Sequence, residues 1–317
     1  MVSNDITKLI EAFVASFSAP PVIWVAYSGG VDSHVLLHAL APYKPNVVHV
    51  HHGLSSRAGA WQQHCQQVSE AFELAFYTTR LAITCAPQES WEAKARAARY
   101  AYMASLMREG DVLVTAHHQE DQAETVLLQL LRGASPKGLS AMPMSAAFAQ
   151  GLLARPLLTV SKQSIRAYAQ EKHLDWIEDD SNQDPKYARN YLRHAVLPLL
   201  TARWPSMAAT LSRSARLCAE SSVLLDEYAA LLLARCDQGG YLSILSLKTL
   251  SRPQQKIVLR YYLQQYAMPL PSEVKLETLI DNVLYAKPDR HPQVCWPGVV
   301  VKRKKDVLMF FRGSIAS

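Results

Sequence analysis

Several kinds of segment are missing from this sequence of 317 residues. No apolar run reaches the roughly 20 residues needed to cross a bilayer, and the first residues lack the basic, apolar and small-residue order of a signal peptide. Internal repeats and low-complexity segments are also absent. These absences argue against membrane-spanning, secreted and repeat proteins, and they predict a cytosolic globular protein with no membrane partner.

Cysteines are few and unpaired in the sequence. The five cysteines are odd in number, widely spaced and never arranged as C-x-x-C. This distribution argues against a disulfide framework, a zinc site or an iron–sulfur cluster. We therefore expect buried free thiols.

The net charge of +6 is distributed unevenly along the chain. Residues 1–150 contain 10 Lys and Arg against 12 Asp and Glu, whereas residues 151–317 contain 23 against 15. The second half is therefore the better candidate for contact with a polyanion, although a basic surface that only keeps the protein in solution would give the same count.

The first half of the chain alternates strand-like and helix-like segments. Strands are predicted at Val22–Tyr27, Val47–His51, Phe76–Leu81 and Val112–Ala116. Helical patterns such as Trp61–Leu74 and Trp91–Met107 separate them. The alternation predicts an α/β fold with a doubly wound, mostly parallel sheet and helices on both faces.

The second half is predominantly helical in pattern. An unbroken apolar periodicity over Pro205–Cys236 predicts one long linker helix, and Leu247–Tyr266 and Pro271–Ala286 predict a small helical unit. Two strand-like runs follow, Val294–Val301 and Val307–Phe311, with a basic hairpin tip between them. We therefore predict a catalytic domain over 1–204, a linker helix over 205–240 and a small, mainly helical domain with a terminal β-hairpin over 241–317.

The most informative segment follows the first strand. It consists of Ser28, Gly29, Gly30, Val31, Asp32 and Ser33. Adjacent glycines at a strand end let backbone N–H groups and the next helix face an anion, which predicts a phosphate cradle. The segment lacks the Gly-Lys-Ser/Thr of a Walker loop and the three spaced glycines of a dinucleotide fold. It resembles the PP-loop of the N-type ATP pyrophosphatases, which split ATP into AMP and pyrophosphate.

Polar residues also follow two other predicted strands. His49, His51 and His52 lie in or after the second, and His117 and His118 follow the fourth. Ligands of parallel sheets bind at the carboxyl ends of the strands, so these residues are expected in one crevice with the phosphate loop. The histidines lack the spacing of a zinc site, which makes polar contacts to nucleotide or substrate the preferred interpretation.

Two acidic and two basic residues are candidates for substrate binding. The spacing of Asp121 and Glu124 puts both carboxylates on one face of a helix that begins near Gln119, where they could hold an amine, a metal or both. Arg96 and Arg99 share a helix face, where a guanidinium could pair with a carboxylate or phosphate. Ordinary solvated helix surfaces are the alternative for both pairs.

Taken together, the motifs resemble those of the tRNA(Ile)-lysidine synthetase family. They are Ser28–Ser33, His49–Leu54, Ala95–Tyr100, His117–Thr125, Arg132-Gly133 with Gly138-Leu139, Arg155–Leu158, and Asp179–Asn182 with Arg189, Asn190 and Arg193. The resemblance is strong from residue 22 to about residue 200 and weaker beyond. It implies attachment of L-lysine to C2 of the wobble cytidine of a tRNA(Ile) with a CAU anticodon, through an adenylated cytidine, with release of AMP and pyrophosphate.

The resemblance also implies roles for individual residues. Ser28–Ser33 would bind ATP, and Asp32 would lie near Mg²⁺ or an amine. Asp32, Asp121 and Glu124 are the catalytic candidates. Lysine or another part of the substrate would be bound by Arg96, Arg99, His117, Asp121 and Glu124. Contacts with tRNA are expected from Arg132, Arg189, Arg193, Lys302, Arg303, Lys304 and Lys305.

Two other functions are compatible with the sequence. One is a different PP-loop enzyme, such as a tRNA thiolase or an amidating ligase, although the cysteine pair or glutaminase segment of such enzymes is not visible. The other is a non-catalytic RNA-binding protein. Longer members of the resembled family carry a further C-terminal domain with no counterpart here, which fits either a short-type member or a shortened chain. The sequence leaves the oligomeric state open, with a homodimer as one option.

Overall fold

A computed structural model of the chain describes residues 2–51, 58–81, 83–84, 91–178, 188–287, 290 and 292–313. The chain forms two compact units, residues 1–218 and residues 219–317. Within the motifs singled out above, residues 52–54 and 179–182 lie outside the described residues.

The first unit contains a six-stranded sheet. Its strands are β1 (Ile23–Ala26), β2 (Asn46–His51), β3 (Phe76–Arg80), β4 (Val112–Val114), β5 (Ser145–Phe148) and β6 (Gly151–Ala154). Their order in the sheet is β3-β2-β1-β4-β6-β5, and every pair is parallel except β5 with β6. The predicted mostly parallel sheet is confirmed.

Helices cover the sheet and continue the chain into the second unit. They are α1 (Val2–Ala15), α2 (Val31–Leu40), α3 (Ala58–Ala71), α4 (Trp91–Leu106), α5 (Gln119–Leu131), α6 (Pro136–Leu139), α7 (Lys162–Glu171), α8 (Ala188–Tyr191), α9 (Leu197–Arg203) and α10 (Met207–Cys236). A π-helical turn, Leu192–Val196, joins α8 to α9.

Alternating residues of the central strands build two apolar layers. Val25 of β1 packs with α1, α2 and α7 on one face of the sheet, whereas Trp24 packs with Met103 of α4 on the other. A parallel strand covered on both faces reads as a continuous apolar run, which is why β1 could be predicted. The strands β5 and β6 could not be predicted from the sequence, because neither contains Val, Ile or Thr, the β-branched residues that favour strands.

The second unit combines three further helices with a four-stranded antiparallel sheet. The helices are α11 (Ile244–Thr249), α12 (Arg252–Gln265) and α13 (Glu273–Thr278), which continues as a π-helical turn, Leu279–Leu284. The strands are β7 (Leu242–Ser243), β8 (Gln293–Trp296), β9 (Gly298–Lys304) and β10 (Val307–Gly313), in the order β7-β10-β9-β8.

Three boundaries predicted in this unit were wrong. The run Val294–Val301 is two strands, because Pro297 interrupts it and Gly298 adopts a positive φ of 82°. The segment Leu247–Tyr266 is two helices, because Ser251 caps a new helix start ahead of Pro253. The basic tip is mostly strand, since β9 extends to Lys304 and only Lys305 and Asp306 form the turn.

Among the described residues, no helix is both long and apolar enough to cross a membrane, including α10 with its 30 residues. The four cysteines in the described part of the chain are free thiols. Cys85 lies outside it.

Candidate active site

The loop between β1 and α2 forms a closed network of short hydrogen bonds. The hydroxyl groups of Ser28 and Ser33 lie 3.0 Å apart, and Ser33 Oγ also accepts from the Ser28 amide and donates to the Gly30 carbonyl. Gly30 is the residue before the first turn of α2. These bonds hold the loop open at the N-terminus of the helix, where backbone N–H groups attract an anion.

Gly29 is required by both its conformation and its surroundings. Its φ is +85°, and a Cβ built on it would lie 3.1 Å from Sγ of Cys65. Its carbonyl accepts from the amide of Ile177 at 3.0 Å. No side chain could replace Gly29 without strain at the turn.

The N-terminus of α5 lies at the end of the neighbouring strand β4. His118 precedes the helix, and its backbone amide donates to Asp121 Oδ2 at 3.0 Å. Glu120 contacts the His118 ring at 3.0 Å and accepts from the amide of Lys162 at 2.9 Å. This network fixes the orientation of the acidic residues in the first helical turn.

His118 connects this helix to the phosphate loop. Its Nε2 lies 3.4 Å from Asp121 Oδ2 and 3.7 Å from Asp32 Oδ2. Burial disfavours the charged ring, but the hydrogen bond to Glu120 and the charges of Asp121 and Asp32 raise the pKa of His118 above its ordinary value. His118 therefore bridges two carboxylates, one from the residues that follow β1 and one from those that follow β4.

One carboxylate oxygen of Asp32 is unpaired. This atom, Oδ1, is buried and has no hydrogen-bond partner among the described residues. Burial raises the pKa of this carboxyl, while His118 and Lys162 act in the opposite direction. A buried carboxylate oxygen without a partner is costly, so this atom is suited to a ligand cation.

Asp121 and Glu124 share one ion cluster with Arg189 and Arg193. Glu124, with 1% of its side chain exposed, accepts from Nε of Arg189 and from Nε of Arg193, each at 2.6 Å. Asp121 Oδ1 accepts from Nη2 of both arginines at 3.0 Å. Burial opposes ionisation of Asp121, but His118 and Arg189 lower the pKa of its carboxyl.

His117 is influenced by both acidic and basic groups. Its Nδ1 lies 2.8 Å from the Thr115 hydroxyl. Burial lowers the pKa of His117 to about 4; Asp121 opposes this shift, and Arg155, Arg189 and Arg96 add to it. The ring is therefore neutral near pH 7.

The basic residues whose charges act on His117 are Arg155 after β6, Arg189 of α8 and Arg96 of α4. Arg96 and Arg99 stack on the Tyr100 ring, with guanidinium carbons 5.1 and 5.5 Å from its centre. Arg155 follows β6 directly, and its Nη1 donates to the Pro143 carbonyl at 2.8 Å. Within the described part of the chain, polar residues of the site therefore follow β1, β4 and β6, and β6 was not among the strands predicted from the sequence pattern.

The predicted site residues fall into separate groups in the structure. Asp32, His117, Asp121 and Glu124 lie in the first unit around α5. Arg189 and Arg193, which we expect to bind tRNA, contact Asp121 and Glu124 in one cluster. Arg132 is exposed at the end of α5.

The predicted basic tip is split by the β alternation. Lys302, Lys304 and Lys305 are exposed. Arg303 is only 4% exposed, and its guanidinium donates to the carbonyls of Leu284 and Ala286. The expectation that Arg303 contacts tRNA is therefore corrected, because its donors already satisfy the end of a helical turn.

Several residues of the site could not be found from the sequence. The contact of Glu120 with Lys162 joins α5 to α7, and the bridge from His118 to Asp32 joins the start of α5 to α2; no local pattern reveals either. His49 was expected to face ligand, but its Nδ1 lies 2.9 Å from the Tyr27 carbonyl inside the sheet. The described residues contain no cluster of three or more His, Cys, Asp and Glu arranged to hold a metal ion.

Comparison with known proteins agrees with this architecture. Residues 2–200 match the model of the PP-loop domain family, and residues 242–309 match that of the TilS substrate binding domain. The fold of the U34-tRNA thiolase from Methanococcus maripaludis is similar, with a TM-score of 0.58 at 14% identity over 68% of this chain and 78% of the thiolase. That likeness concerns the fold alone.

Curated relatives are similar over most of the chain. The tRNA(Ile)-lysidine synthases of Coxiella burnetii and Methylococcus capsulatus are each 40% identical over 93% of this chain, which spans 67% and 69% of their lengths. That of Serratia proteamaculans is 44% identical over 85% of this chain, which spans 64% of its length. The resemblance read from the motifs is thus confirmed: the chain belongs to the family of tRNA(Ile)-lysidine synthases.

Proposed function

We propose that this chain is a ligase that uses ATP to attach L-lysine to C2 of the wobble cytidine of tRNA(Ile) with a CAU anticodon. The observation that carries this proposal is the position of His118, which contacts both Asp32 of the phosphate loop and Asp121 of the acidic pair. A phosphate-binding loop and an amine-binding pair of acids therefore belong to one site. Because these molecules are cytoplasmic substrates, we propose the cytoplasm as the compartment.

The first step activates the cytidine. Its C2 oxygen attacks the α-phosphorus of ATP, the bond from that phosphorus to the β-phosphate oxygen breaks, and pyrophosphate leaves. Ser28–Ser33 would cradle the phosphates with N–H and hydroxyl donors, which stabilise the charge developing on the leaving group. This step converts a poor leaving oxygen at C2 into a good one.

The second step forms the new C–N bond. A neutral lysine amine attacks C2, the C2–O bond breaks, and AMP leaves. Asp121 and Glu124 would bind the incoming ammonium and accept the proton that it loses. Since their oxygens also bind Arg189 and Arg193, lysine must share the acids with these arginines or displace them.

Mg²⁺ fits the free oxygen of Asp32. A buried carboxylate oxygen beside a phosphate loop is the kind of ligand that Mg²⁺ accepts together with substrate phosphates. When bound, the ion would neutralise charge on the triphosphate and the departing pyrophosphate.

Exposed cations are the proposed contacts with tRNA. They are Arg132 in the first unit and Lys302, Lys304 and Lys305 in the second. Arg189 and Arg193 would contribute to tRNA binding through the acidic pair, because their guanidinium groups already bind Glu124. Neutralisation of phosphates by exposed lysines makes the affinity fall with salt. Either a monomer or a homodimer could carry out the proposed reaction, because residues 28–193 of a single chain provide the reaction site.

Pyrophosphate release is the test of this function. The chain is incubated with ATP, Mg²⁺ and tRNA(Ile) bearing a CAU anticodon, with and without L-lysine. We expect pyrophosphate release that requires the tRNA, and AMP release coupled to incorporation of labelled lysine. RNA binding without pyrophosphate release would indicate a non-catalytic RNA-binding protein, and turnover with sulfur or ammonia donors in place of lysine would indicate another PP-loop enzyme.

A further inference from the structure

Three arginines of the first unit form no ion pair within the described part of the chain. Among the residues that the structure describes, no carboxylate forms an ion pair with Arg96, Arg99 or Arg155. The contrast with Arg189 and Arg193, which share two carboxylates, is clear. A group of cations without counter-charge, at the end of parallel strands, points to an anionic ligand.

Arg155 is the most informative of the three. It is only 7% exposed, and its Nε is buried without a hydrogen-bond partner, while Nη1 is anchored on the Pro143 carbonyl. Burial of a guanidinium with an unused donor is unfavourable unless an acceptor arrives. The anchored side chain therefore presents a fixed donor to a ligand.

The position of Arg155 in the sheet separates it from the phosphate loop. It follows β6, whereas the loop follows β1, with β4 between them. Adjacent strands are about 4.8 Å apart, so the two strand ends lie about 10 Å from each other. Phosphates in the loop and an anion at Arg155 can thus be different groups.

The sheet order indicates which anion it is. Arg155 follows β6, and the neighbouring strand β4 leads into α5, which carries Asp121 and Glu124. The proposed amine-binding acids and the unpaired donor of Arg155 therefore follow adjacent strands. A molecule with an amine at one end and a carboxylate at the other matches this arrangement.

Building on the proposed function, we propose that Arg155, assisted by Arg96, binds the carboxylate of the amino-acid substrate and makes the enzyme select an amino acid over a simple diamine. A phosphate of the tRNA is the other source of the same anionic chemistry.

The test compares L-lysine with L-lysinamide and with 1,5-diaminopentane, which lack the carboxylate. In the full chain, Arg155→Met should lower kcat/KM for lysine about 10- to 100-fold and leave kcat/KM for the two analogues within about twofold. Pyrophosphate release with tRNA alone should be unchanged. Arg166→Met, which removes an exposed arginine of α7, is the matched control and should change nothing.

Each outcome separates the explanations. The proposal would be overturned if Arg155→Met kept the preference for lysine over the two analogues. It would also be overturned if the variant raised the KM for tRNA, because that result would assign the anion to an RNA phosphate. If the variant fails to fold, the wild-type protein still decides, because equal use of lysine and lysinamide would refute a carboxylate site. No product with any of the three amines would refute the proposed function itself, whereas lysine product without discrimination would refute only this inference.

Discussion

Neutralising the acidic pair without changing its shape should impair the use of lysine selectively. In Glu124→Gln and Asp121→Asn the side chains keep their size, but each loses the charge that faces the proposed amine. Glu124 is 1% exposed and accepts three hydrogen bonds from two guanidinium groups. Neither acid contacts the serine hydroxyls of the phosphate loop.

The magnitude follows from the type of bond that is lost. A hydrogen bond to a charged group contributes about 1.5–3 kcal/mol, which corresponds to a change of about 10- to 150-fold in an equilibrium constant. The arginines add to the effect, because Arg189 and Arg193 keep their positive charges near the amine when one acid is neutralised. We therefore expect the KM for lysine to rise about 10- to 150-fold and the KM for ATP to stay within about threefold.

The assay is initial-rate lysine incorporation at varied lysine and then at varied ATP. Glu73→Gln is the matched control, since this carboxylate is 85% exposed and pairs only with Lys44 at the surface. Thermal unfolding of each variant verifies that the cluster remains folded. An unchanged KM for lysine in both variants would remove Asp121 and Glu124 from the amine site.

Three further predictions concern the loop, the RNA surface and acid stability. Gly29→Ala should abolish ATP binding, because the new Cβ meets Cys65. Gly110→Ala is the control: its φ of +82° is similar, but nothing lies within 4 Å of the new Cβ, so it should cost only about 1–2 kcal/mol of stability. Equal ATP affinity in both variants would contradict this prediction. Replacing Lys302 and Lys304 by Ala should reduce the slope of log K against log salt for tRNA by about 1.5, and an identical slope would exclude them from the interface. His117 has a pKa of about 4 when folded and about 6.5 when unfolded, so the unfolded chain binds more protons and stability should fall as the pH drops from about 6.5 to 4. His117→Asn should flatten that fall in urea titrations, and an unaltered pH profile would refute the assignment.

The sequence was most informative where function depends on local pattern. The phosphate loop could be predicted because a buried strand, two glycines and a helix follow one another within a short stretch. The helix carrying Asp121 and Glu124 could be predicted from its spacing alone. The mostly parallel sheet could be predicted from the alternation of strand-like and helix-like segments.

Contacts between distant residues could not be predicted. Arg189 reaches Glu124 across 65 residues and Arg193 reaches Asp121 across 72, and both arginines were expected to contact tRNA. An exposed and an acid-bound arginine look the same in a sequence. Arg303 illustrates the same limit, since its neighbours in a basic run are exposed while strand alternation turns it inward.

The fate of one oxygen atom tests the central claim most directly. A tRNA(Ile) carrying a heavy oxygen isotope at C2 of the wobble cytidine reacts with ATP and lysine, and the mass of the released AMP is measured by mass spectrometry. If the phosphate loop directs attack of the cytidine on the α-phosphorus, the label appears in AMP. Lysine incorporation with unlabelled AMP, or with the label in pyrophosphate, would contradict the account.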